Sequence, residues 1–275
     1  MRIAVVTGAS SGLGREFIRQ LDLKNEKNIA KNIKDRAEGK KTEERIIDEF
    51  WIIARREELL LRVSEETKCR TRVFILDLQK KSSIDILAKA LQEKKPVIEF
   101  LVCAAGFGKI GPAKDMPLEE SRGMIELNCR AAVDITTIAI PYMEKGSRII
   151  EICSTAGFQP MPCLAVYSAS KSFMQIYTKA LHHELLTSGI HVTAVCPYWV
   201  KDTEFIEKAE ETDRRGYGHY LFASKSKSVV TMALNDSALN MWVSTPGPVC
   251  FIHRVFAKFV PHFLMTPLME IIKRI

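Results

Sequence analysis

Short, unbroken apolar runs alternate along this chain with longer stretches in which apolar side chains return every third or fourth position. Ile3-Ala4-Val5-Val6 is the first such run, ending in Thr7-Gly8, and it suits a strand buried on both faces. Phe50–Ala54, Val73–Leu76, Ile98–Ala104, Arg148–Ile152 and His191–Val195 predict further strands. Helical periods fall between them: from near Gly12 to Leu21, then Glu57–Thr67, Ile84–Gln92, Leu118–Met143 and Ala165–Leu186. Buried strands separated by helices predict an α/β fold, a doubly wound parallel sheet with right-handed crossovers. Neither an internal repeat nor a low-complexity linker divides the chain, so one domain over residues 1–275 is expected.

Two segments break the rhythm. Residues 22–48 are charged and lack a sustained apolar face, which reads as a solvated insertion rather than an extended helix pair. From Tyr198 onward the pattern is less regular, and Val249–Ile275 forms a tail rich in Phe, Met, Leu, Val and Pro.

Composition adds limits. A hydrophobic share of 47% against 27% charged is that of a globular protein. The net charge of +7 owes much to Lys24–Arg45, where eight basic side chains face five acidic ones. No basic stripe interleaved with exposed aromatics occurs elsewhere, so nucleic acid is not an expected partner. The seven cysteines show no CxxC pair and no metal-ligand spacing, and several lie in apolar runs. They read as small buried hydrophobes in a reducing compartment. Met1-Arg2 runs straight into the first strand, and no stretch reaches the ~18 uncharged apolar residues of a membrane span. A cytoplasmic location is expected.

The first strand opens into Thr7-Gly8-Ala9-Ser10-Ser11-Gly12-Leu13-Gly14. Glycines in a strand-to-helix turn let backbone approach a pyrophosphate, and the helix behind presents free N–H groups and a positive dipole end. Gly8, Ser10, Ser11, Gly12, Leu13 and Gly14 are therefore candidate nucleotide-binding residues. An acidic residue after the second strand would select the ribose 2′-hydroxyl of NAD. Arg55-Arg56 stands there instead, and Arg15 follows the last loop glycine. Guanidinium groups suit a 2′-phosphate, so NADP(H) is expected ahead of NAD(H).

Tyr167 and Lys171, four residues apart in a predicted helix, share one face. A free phenol, with a pKa near ~10, is a poor proton carrier at neutral pH, and a neighbouring ammonium favours its ionised form. Ser154 ends the fifth strand at the carboxyl edge of the sheet, where its hydroxyl can hydrogen-bond a substrate oxygen. The same serine could equally serve as a strand-end cap.

Taken together, the TGASSGLG loop, Cys103-Ala104-Ala105-Gly106, Asn128, Ser154 and Tyr167-Ser168-Ala169-Ser170-Lys171 resemble the short-chain dehydrogenase/reductase family from residue 2 to about 205. The resemblance implies a Rossmann-type fold and an Asn-Ser-Tyr-Lys tetrad. In that tetrad Tyr167 is the acid/base and Ser154 orients substrate. Lys171 binds the nicotinamide ribose and tunes Tyr167, and Asn128 holds a water relaying protons to Lys171. It further implies that Asp77-Leu78 meet the adenine and that Ala105, Gly106, Pro197 and Val200 line the cofactor.

The chain departs from the family pattern in several places. A thiol at Cys103 replaces a side-chain amide, Pro197-Tyr198 replaces Pro-Gly, Thr203 falls one place late, and the insertion lengthens the path to Arg55. Pro197-Tyr198-Trp199-Val200 is similar to a branch containing very-long-chain 3-oxoacyl reductases and hydroxysteroid dehydrogenases. With Phe205, Tyr217, Tyr220 and Phe222 following, a greasy substrate pocket under a C-terminal lid is expected.

The expected activity is ketone–alcohol interconversion on a hydrophobic carbonyl or alcohol, steroid-like or long-chain 3-oxoacyl. A non-catalytic NADP(H)-binding sensor is the alternative. The tail admits three readings: a lid, a core or subunit interface, or peripheral membrane contact aided by Lys258, Lys273 and Arg274. The resemblance also implies a homo-oligomer, dimer or tetramer, through the two long helices.

Overall fold

The structure is a computed structural model, and it describes residues 1–42, 44–213, 220 and 222–267. Tyr217, Lys273 and Arg274 lie outside the described residues. The apolar runs become β1 (Arg2–Thr7), β2 (Glu49–Ala54), β3 (Arg70–Ile75), β4 (Val97–Cys103), β5 (Arg148–Ile152) and β6 (His191–Val195). Among the described residues a two-residue strand, β7 (Val243–Ser244), completes an all-parallel sheet in the order β3-β2-β1-β4-β5-β6-β7. The expected doubly wound sheet is present.

Side-chain alternation sorts each strand onto two cores. Ile3, Val5, Trp51, Leu101, Ile149 and Val192 point to one face. There they meet α3 (Lys81–Lys94), the rod that begins with α4 (Leu118–Ile125), and α6 (Ala165–Glu184). Ala4, Val6, Phe50, Ile52, Val102, Ile150 and Val195 point to the other, against α1 (Gly12–Ala37), α2 (Glu57–Glu66) and α8 (Ser226–Ala238). Because all strands are parallel, their C-terminal ends share one edge. The order reverses between β1 and β4, and that crevice is where such sheets hold ligands.

The segment 22–48 corrects the expectation of a solvated insertion. The first helix does not stop at Leu21 but runs to Ala37, and its seam changes from apolar to polar. Asp22, Asn25, Asn28 and Asn32 follow one another at three- and four-residue steps and hydrogen-bond backbone. Asn25 clasps Ile47 twice, Nδ2 donating to its carbonyl at 2.9 Å and Oδ1 accepting from its N–H at 2.8 Å. Asn32 does the same at Glu44, and the Asp22 carboxylate accepts from the N–H groups of Lys68 and Cys69. An Asn amide carries both a donor and an acceptor and so satisfies an extended strand edge as a neighbouring strand would.

The long rod expected over 118–143 is continuous but not uniform. α4 passes into a π-helical turn, Glu126–Ala131, then α5 (Ala132–Ala139) and a 3₁₀ turn at Ile140–Tyr142. Not all of 198–275 covers the cavity. Val229, Val230 and Ala233 of α8 belong to the sheet core, and β7 pairs with β6. The cover is α7 (Phe205–Glu210) and α9 (Pro248–Phe259). α9 turns Val249 and His253 to the cavity and leaves Phe251, Ile252, Phe256 and Phe259 exposed. Among the described residues no helix is long and apolar enough to cross a membrane. All seven cysteines are free thiols, and no described cluster could hold a metal ion.

Candidate active site

A cavity of about 480 Å³ follows the carboxyl edge of the sheet from Arg55 to His253. One end is the glycine loop. Gly8 adopts φ +65°, and a Cβ on it would lie 2.8 Å from the Ala104 and Ala105 backbone. A Cβ on Gly14 would lie 2.3 Å from the Gly8 carbonyl oxygen. Only glycine lets the loop fold onto α1 and β4 this closely. Gly8, Ser10, Ser11, Gly12 and Leu13 line the cavity, whereas Gly14 sits behind the loop as packing. The first turn of α1 carries no acidic side chain, so its N-terminal partial charge is not neutralised locally. These residues fit a pyrophosphate.

Asp77, Leu78, Ala105, Gly106, Pro197 and Val200 also line the cavity. Of the three arginines singled out, Arg55 and Arg56 lie on its wall. Arg15 does not: its guanidinium turns to Glu66 at 2.7 Å on the surface, outside the cavity lining. Arg56 is engaged, with Nη2 donating to Ser11 Oγ at 2.7 Å and Nη1 to Glu204 at 2.8 and 3.0 Å.

At the centre of the cavity, Ser154, Tyr167 and Lys171 converge. The Tyr167 hydroxyl lies near enough to the Ser154 side chain for the serine to favour its ionised form. Ser154 also caps the 3₁₀ turn Thr155–Phe158, its Oγ accepting from Ala156 N–H at 3.1 Å. The cap and the contact with Tyr167 coexist. Gln175, two turns along α6 from Tyr167, donates to the Ser154 carbonyl at 2.8 Å and locks the strand end to the helix. Lys171 lies 5.9 Å from the Tyr167 ring centre, and its Nζ donates to the Ile152 carbonyl at 2.6 Å.

Electrostatics here differ from the simple expectation. Burial pushes the Tyr167 phenol well above its ordinary value, and Ser154 offsets only part of that. Burial likewise lowers the Lys171 ammonium. Without a cofactor the phenol is therefore firmly protonated, because loss of solvation disfavours the phenolate more than Ser154 favours it.

Asn128 lies in the π-helical turn, 2% exposed and outside the cavity lining. Its Nδ2 donates to the Phe107 carbonyl at 2.8 Å and to Ser170 Oγ at 3.2 Å, while Oδ1 accepts from Phe107 N–H at 3.0 Å. The amide thus pins the Gly106–Phe107 turn. A Cβ on Gly106 would meet Asn128 Oδ1 at 2.9 Å and Lys171 Nζ at 3.5 Å, so this turn passes directly over both.

Sequence reading missed several cavity residues. Phe107, Met161, Leu164, Lys208, Val249 and His253 come from loops and from α7 and α9, with no motif spacing to mark them. The one available signal for His253 was a polar side chain inside an apolar tail. Its Nε2 is buried without a hydrogen-bond partner, and its ring meets Phe158 edge-on at 5.7 Å.

The short chain dehydrogenase family model matches residues 39–214. That match begins beyond the glycine loop, which is identified here by its geometry. A sulfoacetaldehyde reductase of Chromohalobacter salexigens is 31% identical over 74% of this chain and 74% of its own. A very-long-chain 3-oxoacyl-CoA reductase of Aspergillus terreus is 29% identical over 76% of this chain and 55% of its own. Among solved structures, a short-chain dehydrogenase of Sphingobium yanoikuyae in complex with NADPH superposes with TM-score 0.69 at 22% identity, covering 89% and 87% of the two chains. One from Burkholderia phymatum in complex with NAD gives 0.76 at 18%, covering 96% and 95%. At those identities the likeness speaks for the fold. The family match, the sheet order and the glycine loop lead to one assignment: this chain is an oxidoreductase of the short-chain dehydrogenase family, with a site for a nicotinamide dinucleotide.

Proposed function

We propose that the chain interconverts a ketone and a secondary alcohol on a hydrophobic molecule, using NADP(H). The observation that carries this reading is the meeting of Ser154, Tyr167 and Lys171 in the cavity whose far end is the glycine loop. A nicotinamide, when bound, supplies or takes up the hydride. The protein's own groups handle the oxygen. Ser154 Oγ donates to the substrate oxygen and stabilises charge developing there. Tyr167, protonated by virtue of its burial, gives its proton to that oxygen in the reducing direction. In the oxidising direction the phenol must first ionise, which burial opposes, and Lys171 is the cation close enough to assist. Asn128 acts as a positioning residue, holding the Phe107 turn and Ser170 beside Tyr167 and Lys171.

Cation placement supports NADP(H). Arg55, Arg56 and Lys208 line the nucleotide end of the cavity, where a ribose 2′-phosphate would lie. The substrate end is walled by Phe107, Met161, Leu164, Trp199, Phe205 and Val249. Such a wall suits a steroid-like ring system or a long-chain 3-oxoacyl thioester better than a small anion. Exposed Leu118 and Ile125 of α4, and Phe173 and Ile176 of α6, support pairing between subunits through these helices.

The test is consumption of NADPH and NADH with a panel of steroid ketones and 3-oxoacyl thioesters. Turnover is expected with at least one of the two classes, faster with NADPH. Nucleotide binding without turnover on any hydrophobic ketone would instead favour a non-catalytic nucleotide-binding protein.

A further inference from the structure

Glu204 engages two of the cations at the nucleotide end of the cavity. Its carboxylate receives both hydrogen bonds from Arg56 Nη1, while Arg56 Nη2 is held by Ser11 of the glycine loop. Lys208, one turn further along α7, binds the same carboxylate. Glu204, Arg55, Arg56, Ser11 and Lys208 all line the nucleotide end of the cavity. Hydrogen bonds from Lys208 and then Arg56 hold the Glu204 carboxyl below the usual carboxylate range, so it stays ionised. Thr203, its neighbour, packs against the glycine loop, where a Cβ on Gly12 would meet Thr203 Cγ2 at 3.4 Å.

A guanidinium fork offers parallel N–H groups to a carboxylate or a phosphate alike, so one site cannot serve both at full strength. Both side chains of the Arg56–Glu204 pair are 39% exposed, and a solvent-screened pair of this kind can be displaced. Glu204 is also the N-cap of α7, and the next residue, Phe205, packs on Tyr167 with ring centres 5.6 Å apart. The carboxylate is thus tied to the element that covers the reacting end.

We propose that Glu204 is a nucleotide-specificity determinant, an internal anion occupying Arg56 Nη1, where a ribose 2′-phosphate would bind. A 2′-phosphate must displace it. A 2′-hydroxyl can instead donate to it. The chain therefore discriminates between the two dinucleotides less sharply than its arginines alone would allow. This inference rests on the dinucleotide reading of the cavity.

The experiment is calorimetric binding of 2′-phospho-ADP-ribose and of ADP-ribose, which carry no nicotinamide and report no turnover. The proteins compared are the wild type, Glu204→Gln and Glu119→Gln. Glu119 lies outside the cavity lining and controls for the loss of one negative charge. Glu204→Gln is expected to bind the 2′-phosphate fragment about five- to tenfold more tightly, with ADP-ribose unchanged or weakened about twofold. Glu119→Gln is expected to change neither. Should Glu204→Gln fail to fold, Glu204→Asp, one methylene shorter, is expected to shift the ratio in the same direction by a smaller factor. An unchanged ratio in the Glu204 variant, or an equal change in the Glu119 variant, overturns this inference alone. If the wild type binds neither fragment, the dinucleotide reading falls and takes the inference with it.

Discussion

At the scale of single residues, Glu151 ties stability to pH. It sits on β5, fully buried, accepting from Thr136 Oγ1 at 2.7 Å with the Cys103 thiol beside it. Burial raises its pKa from an ordinary 4.5 to about 7. Below the lower value both folded and unfolded chains are protonated there, and no cost arises. Between the two, the unfolded chain ionises first, so stability falls as pH rises and levels off above about 7. The loss is about 3 kcal/mol, and Glu151→Gln should abolish it. Urea denaturation at about pH 5 and about pH 8 checks this, and parallel pH profiles for the two proteins would contradict it.

A second residue-scale prediction concerns Gly14, whose missing Cβ admits the Gly8 carbonyl. The obstacle there is backbone, which cannot rotate aside. Gly14→Ala should therefore destabilise the fold by about 3 kcal/mol or more, seen as a lowered thermal midpoint.

At the scale of elements, the long α1 and its Asn seam tie residues 44–47 to the body. Removing the Asn25 amide leaves the Ile47 N–H without a partner in a buried place and its carbonyl with only the Cys69 thiol, at 3.3 Å. Asn25→Ala should cost about 2–3 kcal/mol, and Asn32→Ala less, because its seam is only partly buried. Denaturant titration of the two variants tests the order, and equal, negligible losses would mean that water replaces both clasps.

This seam also explains what the sequence could not disclose. Apolar periodicity identifies elements that bury hydrocarbon, and it found β1, β2, β4, β5, β6 and α6 within a residue or two. It has no purchase on a helix face built from Asp22, Asn25, Asn28 and Asn32. The π-helical turn was hidden for a different reason, since a one-residue slip leaves the period almost intact. Glycine spacing, the Arg55-Arg56 pair and the Tyr167–Lys171 interval made the nucleotide end and the centre of the cavity legible. Glu204 and His253 were not, since they reach it through tertiary contacts alone.

At the scale of the whole molecule, a single sheet edge lines up the phosphate loop, the paired hydroxyls of Ser154 and Tyr167, and an apolar chamber closed by α7 and α9. In the proposed reaction, proton exchange at Tyr167 beside a bound dinucleotide unites the three. Tyr167→Phe removes the hydroxyl and keeps the ring that packs on Phe205. Paired measurement of NADPH affinity and of turnover on the best substrate of the carbonyl panel is the direct test. Turnover should fall about 10²–10⁴-fold, with affinity changed less than about threefold. Turnover within about tenfold of the wild type would show that the proton travels by another group.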